Sequence, residues 1–300
     1  MNDTHPFQGV LPALTTPFDA MGAVDHASLA RQARRLVEAG ARGVIPLGSL
    51  GEGATLEPRE KSAIVATLVQ AVGHTVPVIA AVAAPSTAEA ETFAREAHRL
   101  GAQGLMVLPP YVYSGSPREM EAHVASVLEA TPLPGILYNN PLAYHTDFMP
   151  EAIAALAKTH PNLCAVKESA GDIRRIHALR ALVGKSVALL VGVDDLLVES
   201  VQAGATGWVA GLANAFPDES VRLFDLAKTG AEQTLDRFYH WFLPLLRLDT
   251  GVHFVQSIKL AQARVGLGSE RVRPPRLPLV GIERDTVLAT LDAALLGRPA

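Results

Sequence analysis

A lysine at the end of an apolar run is the residue of this chain best suited to covalent chemistry. Leu163, Cys164, Ala165 and Val166 precede Lys167, with Pro161 and Asn162 on one side and Gly171 on the other. Such a run reads as a strand buried on both faces, ending where an ammonium group meets the mouth of a core. Burial disfavours the charged form of an amine, so Lys167 can be a free base near neutral pH and attack a carbonyl or imine carbon to form a Schiff base. Carbinolamine formation, dehydration and the later transfers each move a proton at one small centre, which calls for a shuttle. Tyr138, closing the run Gly135–Asn139, is the candidate shuttle, and Ser49, inside Gly48-Ser49-Leu50-Gly51-Glu52, is the candidate hydroxyl that holds it. The glycines around Ser49 and Leu50 let backbone N–H groups converge on a substrate carboxylate. His145, beside Tyr144, overlooks the same mouth if this segment is a loop. Singly, such residues are most often packing, turn or solvated positions; their joint occurrence at strand ends points to a site.

Other chemistries have less support. Gly184-Lys185-Ser186 resembles the end of a phosphate-binding loop, but that motif requires a glycine where Leu179 stands, so the segment reads as a helix-to-strand turn. No two histidines stand at helical ligand spacing and Cys164 is the only cysteine, so no metal site is expected. Cys164 reads as a small hydrophobe. Asp194 and Asp195 can bind a cation or a hydroxyl, although capping the next helix is the commoner fate of such a pair.

The elements that must carry these residues alternate. Candidate strands are Gly9–Leu14, Val44–Leu47, Val78–Val82, Leu105–Leu108, Gly135–Asn139, Leu163–Lys167, Val187–Val191 and Trp208–Ala210. Candidate helices are Asp25–Ala39, Pro58–Val72, Thr87–Leu100, Pro117–Glu129, Pro150–Lys158, Asp172–Leu182 and Leu196–Ala203, three of them opening on a proline, where a missing N–H costs least. Gly40, Gly101 and Gly204 each suit the left-handed residue that ends a helix before a buried strand. Short apolar strands alternating with helices predict a (β/α)8 TIM barrel over residues 1–216, with a doubly wound open sheet as competitor. The chemistry then belongs at the strand C-termini. After Phe216, the segments Asp218–Ala227, Glu232–Leu246, Val255–Val265 and Arg284–Leu296 read as helices without a strand between, a C-terminal helical appendage over 217–300 packed on the barrel as one unit. Pro274, Pro275 and Pro278 mark a stiff connector.

Three hundred residues, 49% of them hydrophobic, can bury a large core. A net charge of −4 and the lack of a basic cluster interleaved with aromatics exclude a nucleic-acid partner. The start, Met1–Pro6, is polar, and no apolar run is long enough to span a bilayer, so no membrane partner and a cytoplasmic setting are expected.

Four segments in fixed order then resemble a known family. GVLPALTTPFD at Gly9–Asp19, GSLGE at Gly48–Glu52, LYNNP at Leu137–Pro141 and VKES at Val166–Ser169 are similar to the dihydrodipicolinate synthase and N-acetylneuraminate lyase family, over nearly the whole chain. The resemblance implies a (β/α)8 barrel with a helical C-terminal part and class I aldolase-type chemistry on a small keto or imino acid. It further implies a covalent Schiff base on Lys167 without metal or other cofactor, and a homotetramer built as a dimer of dimers. Carried over, Lys167 is the Schiff-base lysine, Tyr138 the proton-transferring tyrosine and Ser49 its hydroxyl partner. Main-chain groups of Ser49 and Leu50 and the carbonyl of Val209 bound the acid pocket.

Departures from the family pattern narrow the choice of substrate. The synthase proper normally has two threonines where Ser49 and Leu50 stand, and an arginine for the aldehyde substrate's carboxylate within two residues of YNxP, where Leu142 and Ala143 stand. The family's tyrosine contributed across a subunit interface falls near Val112, between Tyr111 and Tyr113. YNNPLAYHTD, GVDDLLVESV, WVAGLANAFPDESV, RLDT and IKLAQARVGLGSERVRPPRLPL resemble most closely the branch acting on 1-pyrroline-4-hydroxy-2-carboxylate, a deaminase of hydroxyproline breakdown. Alternatives within the chemistry are 4-hydroxy-tetrahydrodipicolinate synthesis from pyruvate, an aldolase, or a dehydratase of 2-keto-3-deoxy acids; the alternative outside it is a non-catalytic barrel that binds a small acid.

Overall fold

The computed structural model describes residues 6–113, 115–230 and 232–299; of the polar start read over Met1–Pro6, all but Pro6 lies outside them. In chain order the elements are β1 (Gly9–Val10), α1 (His26–Glu38), α2 (Pro58–Val72), β2 (Ile79–Val82), α3 (Thr87–Arg99), β3 (Gly104–Val107), α4 (Pro117–Glu129) and β4 (Gly135–Asn139). There follow α5 (Pro141–Tyr144), α6 (Pro150–Thr159), β5 (Leu163–Glu168), α7 (Arg174–Val183), β6 (Ala188–Val191), α8 (Leu197–Gln202) and β7 (Gly207–Trp208). The chain ends in α9 (Pro217–Thr229), α10 (Glu232–Leu246), α11 (Phe254–Arg264) and α12 (Gly281–Leu296).

All strand pairs are parallel, in the order β1-β7-β6-β5-β4-β3-β2, and the ring closes through the stretch expected as the strand Val44–Leu47. That stave is present as isolated bridges, Ala13 to Ile45 and Val44 to Val78. Its ladder is interrupted because Pro12 and Pro46 have no N–H to donate, while their carbonyls still accept from Ile45 and Ala81 at 2.9 and 3.1 Å. The eight staves therefore form a (β/α)8 barrel, and the open-sheet alternative falls. The residues of β2, β3, β4 and β6 are all buried, as a parallel sheet covered on both faces requires.

Local chemistry sets the helix ends. Pro58, Pro117 and Pro150 are each the first residue of a helix. Ahead of α4, the Ser116 and Glu119 side chains each bond the other's backbone N–H in a capping box. At the far end of α1, Gly40 takes φ +106°, and the N–H groups of Gly40 and Ala41 close on the carbonyls of Val37 and Leu36. Gly101 and Gly204 repeat that left-handed conformation.

The helical appendage begins later than the sequence suggested. α9 packs against both α8 and β1, so it is the last helix of the barrel's outer layer and the boundary lies near Gly230 instead of after Phe216. The remaining helices pack together: α10 and α11 both contact α12, and Trp241 Nε1 donates to the Ala294 carbonyl at 2.8 Å. No helix among the described residues is long and apolar enough to cross a membrane.

Candidate active site

A one-residue irregularity sets the centre of the barrel mouth. At the start of the β4–β5 ladder Gly135 pairs with Leu163, but Ile136 pairs with Ala165, so Cys164 is an extra residue on β5. From there the register brings Tyr138 opposite Lys167; without the extra residue it would face Val166. Paired residues of neighbouring strands project from the same face, and Lys167 Nζ lies 3.9 Å from the centroid of the Tyr138 ring. Both are buried, at 7% and 5% exposure. Gly192, just past β6, leaves room for the amine: a Cβ there would fall 2.8 Å from Lys167 Cε and 1.9 Å from Ser169 Oγ. Cys164 itself is half-buried.

Burial governs the electrostatics. It lowers the pKa of Lys167, a shift opposed by the nearby Tyr144, Asp249 and Asp194. It raises that of Tyr138, offset by Asn140, whose Nδ2 donates to the phenol oxygen at 3.0 Å. Asp194 is pushed up to about 6 by burial, although Leu212 N–H and Trp208 Nε1, both at 2.8 Å, and Gly211 N–H donate to its carboxylate. This is neither of the roles read for it at the sequence level: it binds the β7 strand and the turn that follows. Asp249, from the turn between α10 and α11, lies against Gly211, where a Cβ would come within 2.3 Å of its carboxylate. Its Oδ1 is buried without a hydrogen-bond partner among the described residues, and burial together with the charge of Asp194 raises its pKa well above the usual carboxylate value.

The glycine-loop residues line the opposite side. The N–H groups of Ser49 and Leu50 have no protein acceptor among the described residues. Ser49 Oγ hydrogen-bonds the Tyr144 hydroxyl and not Tyr138, its expected partner. Tyr144 stands edge-on to Tyr138, with ring centroids 5.6 Å apart, and packs on Tyr111 at 5.8 Å. Val209 is buried, its N–H bonded to the Val191 carbonyl at 2.9 Å. Tyr113 is 52% exposed and His145 is exposed at the rim, and neither joins the ring cluster of this chain.

A second layer holds these groups. Asn139 Nδ2 donates to Glu168 Oε2 at 3.1 Å and its Oδ1 accepts from Phe148 N–H at 3.0 Å, while Asp147 takes a two-pronged contact from Arg175 at 2.6 and 2.7 Å. Glu168, next to the lysine, is thereby a buried structural acceptor. Glu52 closes the glycine loop in the left-handed conformation, φ 54°, and Lys259 of α11 reaches it.

Sequence reasoning missed Tyr144, Asp249, Gly192 and Lys259. Asn140-Pro141, an N-cap followed by a first-turn proline, was a readable signal for the short helix α5 that positions Tyr144. Asp249 stood in the segment RLDT, but nothing local gave this one acidic residue of a turn a place at the mouth.

Known proteins bear on this arrangement. Residues 6–294 match the Dihydrodipicolinate synthetase family. The chain is 32% identical over 291 residues to the 4-hydroxy-tetrahydrodipicolinate synthase of Pelobacter propionicus, covering 96% of this chain and 98% of that protein. It is 33% identical over 292 residues to the Rhizobium meliloti protein of the same name, covering 96% and 97%. Dihydrodipicolinate synthase from Aquifex aeolicus superposes with a TM-score of 0.92 at 26% identity, over 97% of this chain and 99% of that one. A prophage protein of Escherichia coli K12 belonging to the dihydrodipicolinic acid synthase family, solved in complex with pyruvate, gives 0.90 at 26% identity over 97% and 99%. These names carry the synthase, and none carries the pyrroline deaminase to which segments of the sequence were likened. On a match that runs along nearly its whole length, the chain belongs to the dihydrodipicolinate synthetase family.

Proposed function

We propose that the protein is a Schiff-base lyase of the class I aldolase type that acts on a small 2-keto or cyclic 2-imino acid, with 1-pyrroline-4-hydroxy-2-carboxylate as its substrate. One observation carries the first part: a buried lysine whose amine lies 3.9 Å from the ring of a paired tyrosine at the mouth of a barrel. The substrate carboxylate takes the free N–H groups of Ser49 and Leu50. Lys167 attacks C2 of the cyclic imine, and the C2–N bond to the ring nitrogen breaks, with Tyr138 delivering the proton that makes the nitrogen an amine. Loss of a C3 proton gives an enamine, whose electron pair expels the 4-hydroxyl as water. Tautomerisation moves unsaturation to C5, and hydrolysis of the C5 imine and of the lysine adduct gives ammonia, 2,5-dioxopentanoate and free Lys167. One water is lost and two are consumed. This substrate has a single carboxylate, which agrees with Leu142 and Ala143 standing where the synthase resemblance puts an arginine fork.

The relatives' names support a second reading, 4-hydroxy-tetrahydrodipicolinate synthesis from pyruvate and aspartate semialdehyde. Purified protein given the hydroxypyrroline is expected to release ammonia. No release, together with consumption of pyruvate and aspartate semialdehyde, replaces the deaminase with the synthase. Borohydride trapping of a keto acid on Lys167, read by mass, separates an enzyme from a non-catalytic binder. A homotetramer belongs to the same proposal, and sedimentation tests it.

A further inference from the structure

The resemblance assigns the outer end of the proton path to a tyrosine lent by a neighbouring subunit from near Val112. We propose instead that Tyr144 of the same chain makes that tyrosine unnecessary by standing between Tyr138 and Ser49, so that each barrel holds its complete path, Lys167 to Tyr138 to Tyr144 to Ser49, in cis. The proposal rests on the Schiff-base reading of Lys167 and is independent of which acid the enzyme uses.

Four observations converge on Tyr144. Its hydroxyl is the hydrogen-bond partner of Ser49 Oγ, the group expected to relay protons from the lysine's tyrosine. Its ring stands edge-on to that of Tyr138, at an interplanar angle of 85°, with Tyr111 on another side. One asparagine fixes both phenols: Asn140 Oδ1 accepts from Ala143 N–H at 3.1 Å and starts α5, while its Nδ2 holds the Tyr138 hydroxyl at 3.0 Å. α5 is a single turn closed by the Pro141 carbonyl and His145 N–H at 3.0 Å, with His145 left-handed at φ 56°, which aims residue 144 back across the mouth. The position where the resemblance puts the lent tyrosine is Val112, and its neighbour Tyr111 packs on the Tyr144 ring of its own chain, with centroids 5.8 Å apart. Burial keeps both Tyr138 and Tyr144 protonated well past neutrality, as donors in a relay require. Tyr144 acts on the lysine through Tyr138, and is thus a positioning and proton-relay residue.

The test follows exchange of the methyl hydrogens of pyruvate with deuterated solvent, which needs the Schiff base and its proton transfers but no second substrate. Tyr144→Phe keeps the ring packing and removes the hydroxyl. It is expected to slow exchange about 10²-fold, the lower range for loss of a positioned proton carrier, while borohydride still traps pyruvate on Lys167. Its rate is also expected to rise with imidazole buffer concentration where the wild type's does not, a response that a packing defect would not produce. Co-expressing Tyr144→Phe with Lys167→Ala chains should restore nothing, because an intact lysine and an intact Tyr144 never share a chain. Exchange by Tyr144→Phe within about twofold of the wild type, well short of the loss expected for a proton carrier, overturns the relay. Recovered activity in the mixed oligomers overturns its cis character. A wild type that neither traps nor exchanges pyruvate overturns the reading of Lys167, and the relay with it.

Discussion

Lys259→Met tests whether the C-terminal helices hold the active-site loop in place. The Lys259 and Glu52 side chains are 1% and 0% exposed and meet at 2.5 Å. Lys259 also donates to the Arg271 carbonyl at 2.7 Å, and the second oxygen of Glu52 accepts from Arg273 N–H at 2.9 Å. Methionine fills a similar volume but leaves the carboxylate buried with that one N–H and the Arg276 guanidinium 4.0 Å away. Breaking a buried pair from one side costs about 3–5 kcal/mol. A chain of this size has an unfolding entropy of roughly 0.6 kcal/mol/K, so the melting midpoint should fall by about 5–8 °C. Glu52 stands three residues after Ser49, so the loss should also raise KM for the acid substrate by loosening the N–H cradle. Circular dichroism melts and steady-state kinetics read the two effects. The double variant Glu52→Gln/Lys259→Met should recover part of the stability, since no unpaired charge then remains. A Lys259→Met midpoint within about 1 °C of the wild type, less than 1 kcal/mol on this scale, with KM unchanged, would refute the reasoning.

Gly192→Ala should suppress the borohydride-trapped adduct, because its Cβ would displace Lys167 Cε from a 2.8 Å approach and overpack the site by about 1–3 kcal/mol; normal trapping would show that the amine has other room. Lys167 has a folded pKa below its unfolded value, so between the lowered value and about 10.4 the unfolded chain binds more protons and stability rises with pH. Lys167→Met should flatten that slope, raise the midpoint at neutral pH and abolish turnover, all readable from melts at stepped pH. For the same reason the rate of wild-type adduct formation should level off at a pH below the ordinary lysine range. Asp194→Asn puts an amide N–H₂ against the donor on one side, Trp208 Nε1, or against those on the other, the Gly211 and Leu212 N–H groups, and should cost about 1–3 kcal/mol in urea denaturation.

What the sequence displayed and what it concealed divide along physical lines. Lys167 and Tyr138 were legible because each closes an apolar run, and a polar group there must sit at the rim of a core. Their pairing was not, because the extra residue Cys164 is as apolar as its neighbours and leaves no mark on the pattern. The strand Val44–Leu47 read correctly as a buried stave, but Pro12 and Pro46 reduced its ladder to bridges, an effect of partner strands that a local reading does not weigh. The barrel's last helix was assigned to the appendage because the alternation with strands stops at β7, although α9 still packs on β1. The hydroxyl of Ser49 bonds Tyr144 and not the Tyr138 expected for it, since Tyr144 is brought in by a single helical turn. Asp249 and Lys259 lie in the C-terminal segments RLDT and IKLAQARVGLGSERVRPPRLPL that carried the resemblance, but which of their residues reach the barrel mouth only tertiary contact reveals.

The amine and its phenol ride on neighbouring staves locked by backbone ladders, whereas the groups proposed to meet the acid, the Ser49 and Leu50 N–H groups and residues 142, 143 and 145, are borne by connecting segments. On that reading the molecule is a chassis: the electrophile-trapping pair is built into the frame, and the selective parts are bolted on. On the proposed reading, exchanging residues 142, 143 and 145 while keeping Ser49 and Tyr144 should retarget the protein toward other carbonyl acids without disturbing its proton path.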